Sequence, residues 1–340
     1  LAALRDWNLT PDTASSPPAI ALQRLREGDA RASRNVVDQV QDSGLAAIWR
    51  ATALETLVGR DAATTAVPLL RANDSLLRAS AVRSLGDVQP GQRLALLRPL
   101  LDDPVTAVRM AVAESLADVP LGRVTPSQRN RLLGLFTEYL GIQARHADMP
   151  ETQLQLGVFH SARRDLPRAE AAYREALVLD PTLAAAYLNL ADLQRQRGDE
   201  DAARGQLQQL LSRSPENPDA LHAMGLLEIR AGNRERGTAV LGDAADRETG
   251  GWRHRYVYAV ALHATGRSEQ ALETLRRLDR ERPGNPAVLL ALGEYAAAAG
   301  DFDDAIKHVQ SLLQVTPENP AYQQWLRRLE AQARAAQGPH

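Results

Sequence analysis

Along most of the chain, apolar residues fall three and four positions apart, the spacing of one buried helix face. Residues 188–203 read LNLADLQRQRGDEDAA: a helical pattern, a stop at Gly198-Asp199, then a second helix opening on small residues. The stop recurs at Arg164-Asp165, Gly198-Asp199, Gly232-Asn233, Gly266-Arg267 and Gly300-Asp301, each 34 residues after the last. A small residue precedes each stop: Gly157, Ala191, Gly225, Ala259 and Gly293. Another follows it: Ala169, Ala203, Gly237, Ala271 and Ala305. Pro181, Pro215, Pro283 and Pro317 close four units, with Thr249 in place of proline in the third.

Each of these positions has a physical reason. A glycine after a helix adopts the left-handed conformation that caps it. Small residues stand where two helices of a hairpin approach most closely, and proline cannot continue the second helix. The pattern therefore predicts five helix hairpins, 150–183, 184–217, 218–251, 252–285 and 286–319. Residues 320–337 are expected to form a terminal helix with Tyr322, Trp325 and Leu329 on one face, within a C-terminal capping helix and tail at 320–340.

This pattern resembles the tetratricopeptide repeat family. Tyr173, Leu207, Leu241, Leu275 and Val309 fill the family's large-residue slot in the second helix. Arg164, Gly237 and Thr249 depart from its preferences.

The first part of the chain repeats less regularly. Trp49-Arg50 with Leu57 returns as Leu77-Arg78 with Leu85, and as Val108-Arg109 with Leu116. Residues 100–109 resemble the turn and second helix of a HEAT repeat, so residues 18–119 are read as about three HEAT-like hairpins. Thr125-Pro126 suits the N-cap and first residue of a helix reaching about His146, within a connecting segment at 120–149. Residues 1–17, rich in proline towards their end, are expected to form an extended arm. The expected fold is all-α: a right-handed α-solenoid of HEAT-like and then tetratricopeptide hairpins.

Composition narrows the chemistry. Charged residues make up 24% of the 340, with a formal net charge of −2. Residues 1–149 carry 17 basic against 16 acidic side chains, and residues 150–340 carry 23 against 26. Neither part has the basic excess of a nucleic-acid footprint, so no nucleic-acid partner is expected. Lys307 is the single lysine, which excludes a Walker A loop. There are no cysteines, which removes disulfides, thiolate metal sites and covalent c-type haem from this chain. No apolar run approaches the ~20 residues of a membrane span. The histidines at 146, 160, 222, 254, 263, 308 and 340 form no i, i+4 pair, and no HExxH is present, so no metal site is expected. Nucleophile elbows and dinucleotide fingerprints are absent as motifs, and no catalytic residue is assigned.

The tetratricopeptide resemblance implies a concave groove lined by first helices, with positions 2, 5, 9 and 12 of each repeat facing it. Here these include Leu154, Val158, Leu188, Asp192, Arg195, His222, Leu226, Ile229, Arg253, Tyr256, Val260, His263 and Glu294. Asn189, at position 6, occupies the slot where family members often hold a bound peptide's backbone. Leu154 and Val158 stand where a carboxylate clamp needs a cation and an asparagine, so recognition of a chain terminus is not expected. The mixture of apolar residues and charges of both signs suits a protein or peptide partner. The function expected is a non-catalytic interaction scaffold.

The order of HEAT-like and then tetratricopeptide hairpins, with phrases such as residues 50–57 and 256–262, also resembles the C-terminal region of certain bacterial multihaem cytochromes c. That resemblance implies export, hence a periplasmic or extracellular setting with the cytoplasm as alternative. It also implies an electron-transfer context in which this chain is the interaction arm. It places no cofactor in this chain, only haem in a fused or partner segment, and a multihaem cytochrome as one partner. A third reading is the docking module of a larger enzyme.

Overall fold

The computed structural model describes residues 18–26, 29, 32–247 and 251–336. The arm expected over residues 1–17, the Thr249 position and the tail at 337–340 lie outside the described residues. Within them the chain forms nineteen α-helices and no strand, an all-α repeat fold. Two compact units are defined, Leu1–Tyr139 and Leu140–His340.

The first unit contains α1 (Pro18–Arg26), α2 (Ser33–Gln41), α3 (Ala47–Thr56), α4 (Gly59–Leu69), α5 (Ser75–Arg83), α6 (Pro90–Leu97) and α7 (Thr106–Ser115). It also holds the larger part of α8 (Pro126–Gln143), which a short 3-10 turn at Ala144–His146 follows. Thr125 and Gln128 cap α8 reciprocally, each side chain accepting from the other's backbone N–H.

The repeated apolar-Arg motif has a definite job here. Arg50, Arg78 and Arg109 each turn back to a main-chain carbonyl preceding their own helix: Val40, Ala72 with Asn73, and Asp103. Arg78 also forks onto both oxygens of Asp103, at 2.8 and 3.0 Å, and Arg109 onto Glu138. A guanidinium so placed ties off loop carbonyls and links its hairpin to the next acidic side chain. The leucine seven residues later is buried in all three copies. The apolar partner of the arginine is not: Leu77 and Val108 are 4% and 0% exposed, whereas Trp49 is 47% exposed.

The second unit holds six first helices and five second helices. The first helices are α9 (Pro150–Ala162), α11 (Ala184–Gln196), α13 (Pro218–Arg230), α15 (Trp252–Ala264), α17 (Pro286–Ala298) and α19 (Pro320–Ala336). The second helices are α10 (Leu166–Leu179), α12 (Glu200–Arg213), α14 (Arg234–Ala245), α16 (Ser268–Glu281) and α18 (Phe302–Val315). Both series start at 34-residue intervals.

All five stops take the left-handed conformation, with φ of 80°, 89°, 80° and 81° at Gly198, Gly232, Gly266 and Gly300 and 62° at Arg164. The aspartate after three of them, Asp165, Asp199 and Asp301, caps the next helix by accepting from a backbone N–H three residues on. Asn217 and Asn285 cap α13 and α17 in the same way.

All ten small residues flanking the stops are buried. Between α13 and α14 the approach is backbone to backbone. A Cβ added at Gly237 would lie 2.7 Å from the Gly225 carbonyl oxygen and 2.6 Å from Ile229 Cγ1. Two glycines thus face each other where other repeats use alanine at one or both places. At the C-terminal end, α19 lays Trp325, Leu326 and Leu329 on the cluster of Ala296, Ala305 and Val309.

Candidate partner-binding surface

The first helices present two kinds of position. In the five repeats, the eighth residues of the first helices face the second helices and are buried, whereas the fifth and ninth remain at least partly open. Leu154, Leu188, His222 and Tyr256, all at the fifth position, are half-buried. Val158, Asp192, Val260 and Glu294, all at the ninth, are exposed, and Leu226 is half-buried. Asn189 is half-buried, one turn from Asp192, and Arg253 is exposed.

Five of these residues meet at one cavity of about 360 Å³ between α11, α12 and α13. Its apolar wall is built from Leu188, Ala191, Leu207, Leu226 and Leu227, and its mouth from Asp192, Arg195, His222 and Arg230. Asp192 is held from its own helix. Its Oδ1 accepts from Arg195 Nε and Nη2 at 3.0 and 2.6 Å, and its Oδ2 from Gln196 Nε2 at 2.7 Å. Burial alone would push this carboxyl upward; the Arg195 and Gln196 hydrogen bonds and the Arg195 and Arg230 charges outweigh it, and it stays below its ordinary range. Arg230 is exposed and forms no ion pair or hydrogen bond of its side chain among the described residues.

The His222 ring stands edge-on to His254 with centroids 4.9 Å apart, and His254 Nε2 lies 3.1 Å from Asp219 Oδ1. The Nδ1 atoms of both rings are buried without a hydrogen-bond partner. Burial lowers the His222 pKa, the neighbouring His254 lowers it further, and Asp219 opposes both. His222 is therefore a neutral wall of the cavity at pH 7.

Further along the same face the surface is aromatic. Trp252, Tyr256 and Tyr295 pack partly buried on the core between α15, α16 and α17. His263 stacks on Tyr295 at 3.7 Å and 10°. The Arg253 guanidinium lies 5.7 Å from the Trp252 ring centre, so it is engaged with an aromatic face. Burial and the nearby Glu294 carboxylate raise the pKa of both Tyr256 and Tyr295, with Tyr256 adding to the effect on Tyr295.

One groove residue was missed and one reads differently. Ile229, at the twelfth position of the third repeat, fills the space that the absent side chain of Gly237 leaves, and Arg230 reaches the cavity mouth beside it. The signal was present in Gly237, where alanine stands in four other repeats. No group of three or more His, Asp or Glu side chains among the described residues is arranged to hold a metal ion. No helix among them is long and apolar enough to cross a membrane.

Fold and surface together define a helical-repeat protein built on tetratricopeptide hairpins. Tetratricopeptide repeat models match residues 154–218 and 222–286, and a second such model matches 262–329; a HEAT repeat model matches 63–138. Among curated proteins, Cellulose synthase operon protein C of Pseudomonas fluorescens is 31% identical over 170 residues. That match covers 50% of this chain but only 12% of the relative's length. Among solved structures, yeast Tom70 aligns with a TM-score of 0.57 at 15% identity, over 96% of this chain and 67% of that one. The type IV pilus biogenesis factor PilW aligns with a TM-score of 0.46 at 20% identity, over 55% of this chain and 88% of that one. At these identities the structural likeness concerns the fold alone. The multihaem cytochrome resemblance gains no support from these relatives.

Proposed function

We propose that the tetratricopeptide unit is a non-catalytic scaffold that binds a peptide or an extended partner segment along the open face of its first helices. The observation that carries this reading is the cavity between α11, α12 and α13. It has an apolar wall and charges confined to its mouth, and it opens on the face that also bears the exposed Val158 and Val260 and the half-buried Tyr256. Apolar side chains of a partner would be buried there, while Asn189, Arg195 and Arg253 would fix its register. An interface of ordinary size buries roughly 800 Å² per partner.

The test is selection of a random peptide library displayed on phage against the whole chain, with the Tyr256→Ala protein as comparison. Tyr256 is half-buried on the face in question, and its truncation removes an aromatic contact without touching the helix stops. Enrichment of related peptides by the unmodified chain, weakened by Tyr256→Ala, is the expected result. Failure of the unmodified chain to enrich any peptide family would overturn the reading.

A further inference from the structure

The cavity between the second and third repeats has a chemistry narrower than that of a general groove. We propose that it takes an apolar side chain of the partner whose neighbouring residue is an aspartate or glutamate held by Arg230. This rests on the scaffold reading and names the partner's chemistry at one point: an acidic-apolar dipeptide within an internal segment.

Size comes first. A dry cavity of about 150 Å³ lined by leucine-type side chains holds benzene. The space here is about 360 Å³, enough for a leucine, methionine or phenylalanine side chain with part of the adjoining backbone. Its wall is Leu188, Leu207 and Leu226 with alanines between, so nothing deep inside it satisfies a polar group.

Charge at the mouth comes second. Asp192, Arg195 and Arg230 surround the opening, and two of the three cancel. Asp192 is already paired with Arg195 and also accepts from Gln196, so its charge is largely compensated within its own helix. Arg230 keeps its whole guanidinium fork. The remaining charge is +1, from a side chain whose geometry matches a carboxylate with two parallel N–H donors. A lysine or arginine of the partner would meet two arginines against one aspartate there, a net repulsion.

Histidine adds the third element. His222 closes one side of the mouth with its ring edge-on to His254, and its Nδ1 faces no donor or acceptor. Asp219, His254 and Arg230 are the charged or titratable groups around it on α13 and α15, and Asp192 and Arg195 on α11. The ring contributes a flat neutral surface beside the apolar side chain, which is consistent with an apolar anchor rather than a second charge.

The experiment extends the peptide selection to two further proteins, Arg230→Glu and Leu226→Asp. Arg230 is exposed and its side chain makes no hydrogen bond or salt bridge among the described residues, so its charge reversal is expected to keep the fold despite the nearby Asp192; far-UV circular dichroism and thermal unfolding check this. Peptides enriched by the unmodified chain are expected to share an apolar residue next to Asp or Glu. Individual peptides should bind Arg230→Glu more weakly on the order of tenfold or more. Selection on Arg230→Glu should replace the acid by Lys or Arg, and Leu226→Asp should lose the apolar preference. Peptides that lack the acid, or that bind Arg230→Glu unchanged while Tyr256→Ala weakens them, would overturn this assignment and leave the scaffold reading standing. No enrichment by the unmodified chain would overturn both.

Discussion

Arg164 occupies a position that four glycines hold elsewhere, and it adopts their conformation, with φ of 62°. An L-residue other than glycine there brings its Cβ against the following carbonyl, which costs roughly 1–2 kcal/mol. Arg164→Gly removes that strain and increases the freedom of the unfolded chain, which returns about 0.4–1 kcal/mol of the gain. The Arg164 side chain is exposed and its backbone N–H already donates to Ser161, so no contact is lost. A net stabilisation of about 0.5–1 kcal/mol follows. Because repeat arrays unfold locally, the appropriate assay is native-state hydrogen exchange of the α9 and α10 amides, alongside urea midpoints of the whole chain. Protection should rise in those two helices, and Gly198→Arg, by the same balance in reverse, should lower protection in α11 and α12 by about 0.5–1 kcal/mol. A neutral or destabilising Arg164→Gly would refute the claim that the 34-residue register imposes the left-handed turn on whatever residue stands there.

Two further outcomes follow from the packing between repeats. Glu228, whose side chain is 1% exposed, accepts from Asn233 and from Arg204 of the preceding repeat. Its pKa lies below the ordinary glutamate value, first because Asn233 donates to it, against the opposing effect of burial, and then through the charges of Arg204 and Arg236. Glu228→Ala should cost roughly 2–3 kcal/mol near neutral pH. With the folded value depressed, the carboxylate's contribution is complete above the unfolded value of about 4.3 and is lost as pH falls through the folded value. Urea midpoints of the two proteins between pH 7 and pH 3 should therefore converge at the acid end, and a gap constant with pH would count against the network. Gly237→Ala should destabilise by about 1–3 kcal/mol through overpacking, although alanine is the better helix former. Gly205→Ala, with open space at its Cβ, should instead stabilise by up to about 1 kcal/mol, and equal effects from the two would be the contrary result.

The hairpins of the second unit were legible because every local signal agreed. Glycine at the stop, aspartate after it and small residues on either side each specify backbone or distance of approach, and these are properties that a residue carries with it. The first helices begin at Pro150, Ala184, Pro218, Trp252, Pro286 and Pro320, at the same interval as the stops. The surface was less legible, because side-chain direction there depends on what the neighbouring helix leaves empty. Ile229 packs where Gly237 has no side chain, and in this repeat Arg230 rather than the twelfth residue lines the cavity. His222 finds His254 and His263 finds Tyr295, pairings between repeats that spacing within one repeat does not encode. In the first unit the apolar-Arg motif is recognisable, but the exposure of Trp49 shows that an equivalent register does not guarantee an equivalent environment.

The same 34-residue register that makes the scaffold uniform is what makes its face specific. At the eighth position of the first helix the five repeats carry Gly157, Ala191, Gly225, Ala259 and Gly293, all buried, because the hairpin closes only around a small residue there. At the twelfth they carry Ser161, Arg195, Ile229, His263 and Ala297, which share no chemistry. None of these stands at a helix stop, so outside the contact of Ile229 with Gly237 the twelfth position can vary without altering the turn that ends the helix. The third repeat couples the two kinds of position. Its Gly225–Gly237 contact brings α13 and α14 close enough for Ile229 to pack against Gly237, while Arg230, one residue on, lines the apolar cavity. A longer side chain at Gly237 would meet both Ile229 and the Gly225 carbonyl, so seam and surface are in contact at this repeat.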